Sequence, residues 1–169
     1  QSAGPDGASA AYMKYGCTPE IYAGVTVKGK EVLFRGGVDV VSIKPRNVGP
    51  NADVMVHVKD RKTSVLGYVY GQYNHKLLSI KAKTTFGEGG EHMNLMSGYA
   101  KTGENSDGSW NYASLRNSSS WLSLIYGKKW QGVLMLGYMK NLGLAEAASG
   151  PLAKSDVYFC TNGFSNINQ

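Results

Sequence analysis

Apolar and polar residues alternate along this chain in three stretches, and in each a very short polar turn separates two alternating runs. In the first, Ile21, Ala23, Val25 and Val27 alternate with Tyr22, Gly24, Thr26 and Lys28. The chain turns at Lys28-Gly29-Lys30, and Val32, Phe34, Val38 and Val40 follow. Successive side chains of a strand point to opposite faces, so this pattern predicts two strands joined as a hairpin over about residues 20–43. In the second, Val65 to Tyr73 leads into a turn at Asn74-His75. The returning run sets Leu78, Ile80, Ala82, Thr84 and Phe86 against Ser79, Lys81, Lys83 and Thr85, predicting a hairpin over about 65–87. In the third, Trp121 to Gly127 turns at Lys128-Lys129 and returns through Val133, Leu134, Met135, Leu136 and Tyr138, a hairpin over about 120–140. The prediction is an all-β chain with six antiparallel strands in a single β-domain.

The connections between hairpins, Pro45 to Ser64, Gly87 to Ser119 and Asn141 onward, are far longer than the usual median of about 4–6 residues. Within the first, Val54, Val56 and Val58 predict one short extra strand. Pro5, Pro19, Pro45, Pro50 and Pro151 all fall outside the proposed strands, as ladder hydrogen bonding requires. No helix of ordinary length is expected, although Leu142 to Ala148 has the composition for a turn or two.

Tight turns on one end and long loops on the other, with strands of about 9–11 residues, are the signature of an outer-membrane β-barrel. Lipid forbids unpaired backbone, so such strands must pair continuously across the bilayer. The faces agree: Arg35 and Asp39 oppose Val32, Phe34, Val38 and Val40, while Lys81 and Lys83 oppose the apolar side of their strand. Lumen-facing Lys81, Lys83 and Arg35 would favour anionic solutes, with Asp39 opposing them. Tyr73, Tyr126 and Trp130 fall beside the turns, where interface aromatics belong, and equally where aromatics pack across any antiparallel sheet. In the third hairpin Val133, Met135 and Met139 share a face with Gln131, leaving both sides largely apolar. That suits either a strand covered from inside or the core of a soluble sheet.

Composition narrows the picture further. The 169 residues are 42% hydrophobic and 18% charged, too apolar for a disordered chain, and no run is long enough for a transmembrane helix. The net charge is +6, but Lys28, Lys30, Lys76, Lys128 and Lys129 are scattered over turns, so no basic stripe for nucleic acid forms. Cys17 and Cys160, each among turn-like residues, permit one disulfide and an oxidising compartment. No signal peptide is visible from Gln1 onward, so one was removed or the chain begins mid-protein.

No catalytic or cofactor chemistry is legible. His57, His75 and His92 lack metal-ligand spacing, and Glu88, Glu91 and His92 in a Gly-rich stretch read as solvated. Gly87-Glu-Gly-Gly90 opens no helix and lacks phosphate-loop spacing. Neither a Ser/His/Asp nor a Cys/His constellation can be assembled, so the chain is expected not to be an enzyme and to use no cofactor.

The segments Tyr70-Gly-Gln-Tyr-Asn-His-Lys-Leu-Leu-Ser-Ile-Lys-Ala-Lys-Thr-Thr-Phe86, Gly90-Glu-His-Met-Asn-Leu-Met-Ser-Gly-Tyr99, Ser120-Trp-Leu-Ser-Leu-Ile-Tyr-Gly-Lys-Lys-Trp-Gln-Gly132 and Gly137-Tyr-Met-Lys-Asn-Leu-Gly143 resemble the porin-like outer-membrane β-barrel proteins of Bacteroidota. The resemblance covers about 66–143 and implies an outer-membrane location and a barrel architecture, with no catalytic residues to carry over. Barrels start at about 8 strands, so six imply that further strands or other chains complete the wall. The expected partners are the lipid bilayer and small, anionic solutes. The alternative is a soluble β-sheet binding module, periplasmic or on the cell surface, whose long loops recognise a ligand such as a glycan.

Overall fold

The computed structural model describes residues 18–51, 54–90 and 95–159, together with Pro5 and Gly16. Cys17, Cys160, Glu91 and His92 lie outside the described residues, and so does the disulfide expectation. The described chain forms ten strands: β1 (Ile21–Lys28), β2 (Val32–Ile43), β3 (Val48–Asn51), β4 (Val54–His57), β5 (Lys62–His75), β6 (Leu78–Glu88), β7 (Gly98–Glu104), β8 (Trp110–Gly127), β9 (Gln131–Leu144) and β10 (Val157–Phe159). Among the described residues there is no α-helix, only a single 3-10 turn at Lys154–Asp156.

All three predicted hairpins form, as β1–β2, β5–β6 and β8–β9, and they join edge to edge in the antiparallel order β1-β2-β5-β6-β8-β9. β7 continues the sheet along the first part of β8 and pairs in turn with β10. The strand β3 pairs only with β4, in a separate two-stranded ribbon. The six expected hairpin strands, with the short extra one expected from Val54, Val56 and Val58 and formed as β4, thus become ten, eight of them in one sheet. That sheet is open: among the described residues β1 pairs only with β2 and β9 only with β8, so closure into a barrel is not part of this structure.

Several boundaries differ from expectation for identifiable reasons. The second turn lies at Lys76-Leu77, not Asn74-His75: both of those residues stay in β5 and pair with Ser79 and Leu78. Cross-strand contacts hold them there, Ser79 Oγ donating to Asn74 Oδ1 at 2.6 Å and His75 Nδ1 lying 2.8 Å from Glu31 Oε1. Lys76 takes the left-handed conformation (φ 49°) that such a tight turn requires. β8 begins eleven residues before Trp121, at Trp110. Its Ser118-Ser119-Ser120 run has no strand-like hydrophobic pattern, but its backbone is paired with β6 on one side and β9 on the other. Pro50 proves to lie in β3, where a two-stranded ribbon leaves one side of the backbone free of partners. Leu142–Ala148 makes no helix, since β9 runs to Leu144 and Ala145 N–H then donates to Ser114 O.

The three tight turns, at residues 29–31, 76–77 and 128–130, gather at one end of the sheet. The core sits at the other. The buried apolar residues are Ile43, Val58, Leu66, Tyr99, Ala100, Ala113 and Leu115, all at the loop end, whereas every residue of β1 is exposed. Tyr99 is fully enclosed between Tyr112, edge-on at 5.6 Å, and Tyr158 at 5.2 Å. Beside it Arg46 Nε donates to Asp60 Oδ2 at 2.9 Å and Arg46 Nη2 to Gly108 O at 2.8 Å. Asp60 also accepts from Trp110 N and from the Tyr112 hydroxyl, and the Arg46 guanidinium lies 3.5 Å over the Trp110 ring. A buried ion pair is tolerated only with such complete hydrogen bonding. Burial opposes the charge on Arg46, but the Asp60 hydrogen bond and charge outweigh it and raise the guanidinium pKa.

Candidate functional site

The register assigns every side chain of the six-strand sheet to a face, because residues directly opposite one another in a ladder project to the same side. One face carries Val27, Phe34, Gly71, Ala82, Leu122 and Leu136 in a single cross-strand row, and Val25, Gly36, Val69, Thr84, Ser120 and Tyr138 in the next. Rows nearer the turns add Val32, Tyr73, Ile80, Leu124 and Leu134, then Leu78 and Tyr126. Much of this apolar surface is bare: Val25 is 70% exposed, Leu136 57% and Phe34 49%. A depression of about 510 Å³ lies where the small Gly71 and Ala82 sit among Phe34, Leu122 and Leu136.

The opposite face is polar through its middle. Its central row is Thr26, Arg35, Tyr70, Lys83, Trp121 and Gly137, and the row on the turn side is Lys28, Leu33, Gln72, Lys81, Ser123 and Met135. Here lies a groove of about 450 Å³ lined by Leu33, Arg35, Tyr68, Tyr70, Gln72, Lys83 and Trp121. Its walls are organised by contacts across strands. Arg35 Nε donates to Thr26 Oγ1 at 3.1 Å, the Tyr70 hydroxyl donates to Gln72 Oε1 at 2.8 Å, and Lys83 Nζ stands 4.9 Å from the Tyr68 ring centre. Tyr70 and Trp121 pack with ring centres 6.1 Å apart, tilted by 53°.

Tyr22 stacks on Tyr68 with ring centres 6.2 Å apart and hydroxyls 2.5 Å apart. The stack is possible because Gly37 lies beneath it: a Cβ there would come within 2.7 Å of the Tyr22 hydroxyl and 2.9 Å of the Tyr68 ring. An aromatic ring laid over a strand glycine replaces the packing that the glycine lacks.

The predicted site residues divide. Arg35, Lys81, Lys83 and Asp39 all lie on the polar face, as their alternation implied, and Arg35 and Lys83 line the groove. Lys81 stands one row away, opposite Gln72. Asp39 is only 3% exposed and sits nearer the loop end, opposite Tyr22, so it does not present its charge to the groove. Tyr73 and Tyr126 fall on the apolar face close to the turns, and Trp130, 93% exposed, stands in the third turn between β8 and β9. The three aromatics therefore gather at one end.

Sequence reasoning that looked for charge missed Tyr68, Tyr70, Gln72 and Trp121. The period-two spacing of Tyr68, Tyr70 and Gln72 on β5 was visible, but only the register puts Tyr70 between Arg35 and Lys83, and Trp121 of β8 beside Lys83. Met135 and Met139 lie on the polar face and Val133 beside them, so β9 is apolar on both sides, as expected. Among the described residues no three His, Cys, Asp or Glu side chains converge to hold a metal ion, and no helix is long and apolar enough to cross a membrane. Compared with known proteins, the chain matches no family model, no curated protein and no solved structure.

Proposed function

We propose that this chain is a section of an outer-membrane, porin-like barrel wall whose polar face lines an aqueous path for small anionic solutes. The observation that supports the reading best is the segregation of faces across five strands adjacent in the sheet, β1, β2, β5, β6 and β8, beside which β9 is apolar on both sides. One face is apolar and exposed, the other carries Arg35, Lys81 and Lys83. A water-soluble sheet hides its apolar face and wets its polar one, whereas a barrel wall in lipid does the reverse with respect to its own interior. The aromatics Tyr73, Tyr126 and Trp130 at the turn end agree with an interfacial girdle. The resemblance to the porin-like proteins of Bacteroidota points the same way, and the edges of β1 and β9, unpaired among the described residues, call for further strands or other chains in the wall. On this reading the protein binds no cofactor and catalyses no reaction.

The test is conductance in a planar bilayer. The protein should prefer anions, and the triple variant R35Q/K81Q/K83Q should lose that preference while still inserting. An unchanged anion/cation ratio in the variant overturns the solute assignment. A native chain that stays monodisperse in buffer without detergent overturns the membrane reading. It would favour a β-sheet binding module, for which the groove of about 450 Å³ on an open sheet is the supporting observation.

A further inference from the structure

We infer that the groove on the polar face takes an acidic saccharide, with sugar rings resting on Trp121 and Tyr70 and their separate carboxylate or sulfate groups held by Lys83 and Arg35. The inference rests on reading that face as solute-lined, and it names the solute. A bare inorganic anion needs only cations and backbone N–H groups, and two large aromatic rings would gain it nothing. Here the ladder interleaves the two kinds of side chain, Arg35, Tyr70, Lys83 and Trp121 standing on four neighbouring strands in one row. Strands lie about 4.8 Å apart, so the two cations are rooted about 10 Å from each other with an aromatic between them. That spacing suits a chain of rings with acidic substituents better than one compact ion.

A sugar ring has an apolar face of C–H groups and a rim of hydroxyls, and it is puckered. The Tyr70 and Trp121 rings, 6.1 Å apart and inclined at 53°, make a bent apolar platform and not the parallel slot that would clamp a flat base. Gly137 follows Trp121 in the row and adds no side chain of its own there. Rim donors are in place: the Tyr70 hydroxyl engages Gln72 Oε1, which leaves the Gln72 amide N–H groups to donate elsewhere. The cations are partly preorganised. Thr26 holds Arg35 through Nε, leaving its terminal nitrogens to form a bidentate pair, and the Tyr68 ring draws the Lys83 ammonium toward the groove. Restricting them before binding lowers the cost of ordering them in the complex.

The experiment titrates the intact chain in detergent micelles with digalacturonate, with the uncharged disaccharide lactose, and with sodium acetate, reading binding by calorimetry and saturation-transfer NMR. Digalacturonate should bind at least about tenfold more tightly than either of the others, a difference of about 1.4 kcal/mol. Lys83→Gln should remove the advantage over lactose. Trp121→Ala should remove the advantage over acetate, and Trp121→Phe, which keeps a ring and the fold, should retain part of it. Equal binding of digalacturonate and acetate, or a Trp121→Phe protein indistinguishable from one lacking the ring, overturns the saccharide. If that happens while conductance stays anion-selective, the solute path stands and only its named occupant falls. Saccharide binding without conductance supports the seat and overturns the pore.

Discussion

The two ends of the same strands obey opposite rules. At the loop end the chain behaves like an ordinary folded domain: Tyr99 and Ala100 are sealed from solvent, and the Arg46–Asp60 pair is buried with its hydrogen bonds made. At the turn end Val27, Val32, Leu134 and Tyr126 are exposed on one face, and among the described residues no second layer covers them. Both ends are built of paired strands, with register shifts at Lys101/Gly103 and Arg116/Asn117 on the loop end, so strand content alone does not distinguish them. What differs is the medium each end suits. The loop end has a core of its own, and the turn end carries exposed apolar surface, which on the proposed function faces lipid.

The largest expected effect tests whether the loop end is truly the core. Asp60→Ala strands the Arg46 guanidinium in a buried site and should cost about 3–5 kcal/mol in denaturant unfolding. A loss under about 1 kcal/mol would mean that the loop end is no more of a core than the turn end. Next is the apolar face. Leu136→Arg should destabilise the bilayer-inserted protein by about 2–4 kcal/mol, and the same change on a sheet bathed in water should be nearly silent. Comparing unfolding in lipid vesicles and in buffer therefore separates the two media for this end.

The turns offer a smaller contrast. Gly127 has φ 127°, and a Cβ there would lie 2.0 Å from Trp130 O, so Gly127→Ala should cost about 1–3 kcal/mol by thermal unfolding. Gly71, with nothing within 4 Å of its added Cβ, should accept alanine within about 0.5 kcal/mol. If both changes are neutral, the third turn is not the tight one described. The smallest effect concerns pH. A hydrogen bond from Lys101, 2.9 Å away, lowers the Glu104 pKa, and the Ser109 hydroxyl and N–H lower that of Asp107. Their folded-state pKa values lie below the unfolded ones, so their contribution is full above the ordinary carboxylate range and is lost as pH falls through the lowered values. Amide protection, taken relative to the intrinsic exchange rate at each pH, should fall around residues 104–109 in acid while that of β1 and β9 is unchanged. An equal loss of protection in all three would break the comparison.

Particular residues show why some features were legible in the sequence and others were not. The hairpins were, because Ile21 to Val27 and Leu78 to Phe86 write their own period of two. The first half of β8 was not: Asn111 to Ser120 carries no clean apolar alternation, and its strand conformation comes from its ladders, with β7 up to Ser114 and with β6 and β9 from Arg116 onward. Nor was the loop-end cluster, since Arg46, Asp60, Tyr99 and Tyr112 are scattered across separate connections and strands with no shared motif. The cations of the groove were legible as polar-face residues, but the aromatics between them were not.

By itself the amino-acid order determined the three hairpins and the two-sidedness of strands such as β6, because alternation along a strand is a local property that the chain's own stereochemistry enforces. Tertiary structure decided which strand lies beside which, and with it the row that sets Tyr70 between Arg35 and Lys83, the burial of Asp39, the place of the second turn, and, among the described residues, the open edges of β1 and β9. Those outcomes depend on register between residues distant in sequence, where a slip of one position would turn every side chain to the other face.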